Sequence, residues 1–92
     1  MKLQVLKFEF ETNCARHRYH PGIIVGDEQG AIVVLHRCIP YSNTRLYFDS
    51  FEKAKQWVLE NYEIYEARPD SDYYYLWRIE NILWLQLQLM RT

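Results

Sequence analysis

Ninety-two residues make one domain, near the lower end of what folds without staples. With 49% hydrophobic residues, 25% charged residues, and three Trp, eight Tyr and four Phe, the chain is too apolar for disorder and can build a core. A net charge of −1 gives no global attraction to nucleic-acid phosphate or anionic lipid, and two cysteines, Cys14 and Cys38, are too few for a disulfide framework.

The opening "MKLQVLKFEFE" does not read as a signal peptide, because Lys7 and Glu9 interrupt any apolar stretch. The longest apolar run, "AIVVL", is far short of a membrane span. With so few cysteines, a reducing compartment is expected, so the sequence reads as a cytoplasmic, single α+β domain over residues 1–92. In "LKFEFE", Leu6, Phe8 and Phe10 alternate with Lys7, Glu9 and Glu11, the pattern of a strand wet on one side and plausible as a sheet edge. Leu3 and Val5 fall on the opposite parity, which hints at a bulge between Val5 and Leu6.

Next comes "NCARHRYHPG", one cysteine, two histidines and two arginines ahead of Pro-Gly. It is expected to be a polar loop whose Tyr19 and His20 already enter a strand, with Pro21 stopping the ladder at an edge or bulge. "GIIVGDEQGAIVVLHRCI" reads as a hairpin closed by a three-residue loop with Gly30 in the left-handed position. That loop sets Val25 against Val33, Ile24 against Val34 and His20 against Cys38. "AIVVL" has no alternation, as in a strand buried on both faces.

"DSFEKAKQWVLENY" is the strongest helix. Asp49 is placed to cap it, with Glu52 completing a capping box. Phe51, Ala54, Val58 and Tyr62 form one apolar stripe, widened by Leu59 and bordered by Trp57. Lys53, Gln56 and Glu60 form the wet face. "EIYEAR" follows as a short strand, "PDSD" as a turn and "YYYLWRIE" as a strand. In the tail "ILWLQLQLM", strand parity gathers Leu83, Leu85, Leu87 and Leu89 on one side, whereas a helix scatters leucine and glutamine around its circumference, so a strand is predicted. The expected fold is an antiparallel sheet of five to six strands with one amphipathic helix, β-β-β-α-β-β-β, with room to curl toward a half-barrel.

No phosphate-cradling glycine loop, nucleophile elbow or nucleophile–base pair stands out, so no enzyme and no cofactor is expected. "PDSDYYYL" begins like a calcium loop, but Tyr75 stands where glycine is needed and Asn81 where the bidentate glutamate belongs. Three binding readings remain. One short helix shields two or three strands, which leaves the second hairpin face to another chain. The leading expectation is therefore a non-catalytic protein-binding module acting as a homodimer or accessory subunit, with Ile24, Ile32, Val34, Trp84, Leu85 and Leu87 at the seam. The alternative is single-stranded nucleic-acid binding through Arg16, Arg18 and Arg37 with Tyr73 and Tyr75 as stacking faces. A third is a metal site of His20, His36 and Cys38, a ligand mixture that zinc accepts.

Overall fold

The computed structural model describes residues 3–12, 18–37, 42–66 and 80–90. Five strands form one antiparallel sheet: β1 (Gln4–Glu11), β2 (Tyr19–Asp27), β3 (Gly30–Arg37), β4 (Ser42–Phe48) and β5 (Ile64–Glu66), in the order β4-β3-β2-β1-β5. Among the described residues two helices, α1 (Phe51–Asn61) and α2 (Glu80–Met90), complete an α+β architecture. The sheet is open, with β4 and β5 as its edges among the described residues, and does not close into a barrel. The expected strands of "YYYLWRIE" and the turn of "PDSD" lie outside the described residues, apart from Glu80 in α2.

The hairpin β2–β3 is one residue tighter than expected. The Gln29 N–H donates to the Asp27 carboxylate at 2.8 Å, an Asx turn that closes the loop over Glu28 and Gln29 alone. Gly30 therefore pairs with Asp27, and Ile24 faces Val33, Ile23 faces Val34 and Val25 faces Ile32. A slip of one residue exchanges the two faces of a strand, so the grouping of residues follows the true register. Ile24, Ala31, Val33 and Leu35 lie on the α1 side, and Ile23, Val25, Ile32 and Val34 on the other. Glycine is required at Gly26, where a Cβ would strike the Gly30 carbonyl and lie 2.5 Å from the Ala31 Cβ. At Gly22 a Cβ would lie 2.5 Å from the buried Phe8 ring.

β1 runs in unbroken register with β2 from Gln4↔Gly26 to Glu11↔Tyr19, with no bulge. Its change of parity is a change of roof: Leu6, Phe8 and Phe10 pack on the α1 side, whereas Leu3 and Val5 pack on the α2 side. Nor is β1 an edge, since β5 pairs with it from Phe8 to Phe10. Pro21 does not stop the ladder as expected: pairing with β1 runs through Glu9↔Pro21 to Glu11↔Tyr19, and only the pairing with β3 ends beside it, at Gly22↔Leu35.

α1 forms as the stripe requires, burying Phe51, Ala54 and Val58 and leaving Lys53, Gln56 and Glu60 exposed. Leu59 does not widen the stripe, because it faces solvent. The cap is Ser50 rather than Asp49: its hydroxyl accepts from the Lys53 N–H at 3.2 Å, which places Glu52 one position short of a capping box. Asp49 instead meets the Lys53 ammonium at 3.4 Å on the surface.

The tail is a helix, not a strand, and this overturns the expectation of a single helix. Leu83 and Leu87, four residues apart, are buried against Ile23, Val25, Ile32 and Val34. Period-two sorting looked cleaner because it presumes one apolar side, whereas α2 is apolar on both its inner and outer surfaces. The second face of the hairpin, expected to need another chain, is roofed by the chain's own α2.

Candidate functional site

α2 rests on β2 and β3, and α1 on the opposite face of the same sheet. At about 100° per residue, fixing Leu83 and Leu87 inward turns Ile82, Leu85 and Leu89 outward along one flank. Their exposures agree: Ile82 is 55%, Leu85 61% and Leu89 73% exposed, with Met90 at 56% by the helix end. No Asp, Glu, Lys or Arg occurs from 82 to 90. Gln86 marks the side of α2 that leans toward β4, since the Arg45 guanidinium donates to its Oε1 at 2.7 Å. Two residues along β4 from Arg45, on the same face, Tyr47 is 51% exposed. α2 thus meets β4 through the Arg45–Gln86 pair, and Tyr47 on the same face of β4 stays half exposed.

The six expected seam residues divide accordingly. Ile24 is enclosed under α1, and Ile32, Val34 and Leu87 are enclosed under α2, so four of them serve the chain's own core. Trp84 is half-buried beside the second cluster, and Leu85 alone points into solvent. The flank residues Ile82 and Leu89, Met90 at the helix end and the exposed Tyr47 of β4 stand outside the expected seam. Helical periodicity applied to "NILWLQLQLM" separates 82, 85 and 89 from 83 and 87 and would have found the first of these.

His20 and His36 do come close, with ring centroids 6.1 Å apart, and His20 is buried with its ring also 6.1 Å from Phe10. The predicted register does not bring this about: β2 pairs with β3 only as far as Gly22↔Leu35, and His36 pairs with Asn43 of β4. Cys38 lies outside the described residues, and among those described no three His, Cys, Asp or Glu are grouped to hold a metal ion.

Of the residues expected to grip nucleic acid, Arg16, Tyr73, Tyr75 and the Arg37 side chain lie outside the described residues. Arg18 donates through Nε to the Glu11 carboxylate at 2.7 Å and lies 5.5 Å from the Tyr19 ring centroid. The hydrogen bond to Glu11, followed by that carboxylate's charge, raises its pKa. The pair lies at the surface, with the Arg18 side chain 70% exposed, and is of small net worth. Tyr19 meets Tyr65 edge-on at 5.2 Å, and the negative charge of Glu63 is the main cause that raises the Tyr65 pKa above the ordinary phenol value. A shallow depression of about 490 Å³ along the outer face of α1, lined by Glu52, Lys55, Gln56, Leu59 and Glu60, brings no nucleophile–base pair together.

None of the described helices is long and apolar enough to cross a membrane. Comparison with protein-family models, with curated proteins and with solved structures finds no match for this chain.

Proposed function

We propose that the chain is a small non-catalytic protein-binding module, working as a homodimer or as an accessory subunit, and that the outer flank of α2 is its docking surface. One observation carries this reading: α2 buries Leu83 and Leu87 on its own sheet yet still presents Ile82, Leu85, Leu89 and Met90 to solvent. A surface helix ordinarily carries charge on its outer side, and a helix that is apolar all round is ordinarily enclosed. Here the outer side has no charge over residues 82–90. Covering it removes that apolar surface from water, whereas leaving it bare invites nonspecific association. A membrane surface is a poorer fit, because a helix lying on lipid carries a strongly polar, usually basic face, and α2 has none within 82–90.

Site-specific photocross-linking tests the reading. With a benzophenone amino acid in place of Leu85, irradiation in the host cell is expected to yield discrete protein adducts. The same group in place of Lys53, on the wet face of α1, is expected to yield none. Absence of adducts at 85, or equal labelling at both positions, would refute the docking surface.

A further inference from the structure

We propose that the occupant of the α2 flank is a second copy of this chain, bound as an antiparallel α2–α2 pair about a two-fold axis beside Leu85. The proposal rests on the docking reading above and names its partner.

Three features favour a copy over a foreign protein. The flank itself carries no charge from 82 to 90 and so asks no complementary ion of its partner, while Arg45 at its margin is held by the chain's own Gln86. Its margins are amides: at about 100° per residue, Gln86 borders the stripe on one side and Gln88 on the other. The Gln86 oxygen already accepts from Arg45 within the chain, so it is the Gln88 amide, with both donor and acceptor, that is complementary to itself as a lysine or glutamate margin is not. Antiparallel pairing also sets the two helix dipoles in opposition.

The spacing fits a two-fold. Ile82 and Leu89 stand seven residues apart, about 10 Å along the axis, with Leu85 near the midpoint. In the antiparallel pair, Ile82 of each copy meets Leu89 of the other, and the two Leu85 side chains meet at the centre. This is the self-complementary contact that a closed dimer requires.

Area sets the strength. The exposed parts of Ile82, Leu85 and Leu89 amount to nearly two whole residues, on the order of 250 Å² of apolar surface per chain. The exposed half of Tyr47 adds on the order of 100 Å² if the second helix reaches over β4. The total is below half of the roughly 800 Å² per partner found in stable complexes. A patch this small makes a weak, reversible dimer, populated only toward the concentrated end of the range below.

Sedimentation velocity on the purified full chain, from about 1 µM to about 500 µM, reads this directly. The expected result is an 11.3 kDa species at the dilute end giving way to twice that mass at the concentrated end. Leu85→Glu and Leu85→Lys, each keeping the wild-type far-UV circular dichroism, are expected to stay monomeric throughout. An equimolar mixture of the two is expected to dimerise again, because their charges meet at the axis. A wild-type chain that remains monomeric across the range overturns self-pairing, while adducts of other mass at position 85 would still uphold the docking reading. Dimers that persist in folded Leu85→Glu, or a mixture that stays monomeric, overturn the α2–α2 geometry.

Discussion

At the start of α1, two neighbouring polar residues have different physical roles. The Ser50 hydroxyl takes up one of the orphan N–H groups of the first turn, that of Lys53, at 3.2 Å. Asp49, one residue earlier, makes only an exposed ion pair with the Lys53 ammonium, a type of contact of small net worth. "DSFE" offers either residue as a cap, and the sequence favoured Asp49 because Glu52 then stands at the capping-box position. Ser50 wins because helical geometry starts at Phe51. In equilibrium urea unfolding, Ser50→Ala is expected to lose about 1 kcal/mol. Asp49→Ala is expected to stay within about 0.5 kcal/mol of wild type. The reverse order would return the cap to Asp49.

Among the elements, α1 and the hairpin were legible because each carries one dominant period: a single stripe in α1, and β-branched runs around a turn in β2–β3. The loop length was not, because "DEQG" suits a two- or a three-residue loop, and only the Asp27 side chain closing on Gln29 chooses between them. β4 was missed although "TRLYF" alternates, with Thr44, Leu46 and Phe48 facing away from Arg45 and Tyr47. It lacks the β-branched run that announced β2 and β3. α2 was misread because its outer flank is as apolar as its inner one, and this property is also what makes it the candidate site. Two substitutions separate helix from strand. In a strand, Leu83 and Leu85 share one side and their truncations cost alike. In the helix they are opposed: Leu83 is fully enclosed and Leu85 is 61% exposed. Leu83→Ala is expected to lose about 2–5 kcal/mol of unfolding free energy. Leu85→Ala, measured at a concentration where the chain is monomeric, is expected to change by less than about 0.5 kcal/mol. Equal losses would contradict the helix.

In the molecule as a whole, the sheet is a shared middle layer with a helix on each face, so the strands that are apolar on both sides need no second chain to become dry. The area mismatch between one short helix and a wide sheet, legible from strand count and helix length, was sound as far as it went. It missed that the tail itself supplies the other roof. What remains uncovered moves from the sheet face to the back of α2, and association there would join finished domains rather than complete an unfinished core. That distinction is open to amide hydrogen exchange followed by mass spectrometry at about 0.5 µM protein, well below the association expected for so small a patch. Amides in residues 84–90 and in the β2–β3 hairpin are expected to be protected at that dilution as strongly as at high concentration. Rapid exchange of 84–90 in the dilute chain, with protection gained only on concentrating it, would show that α2 depends on a partner to form and that the second face is not roofed from within.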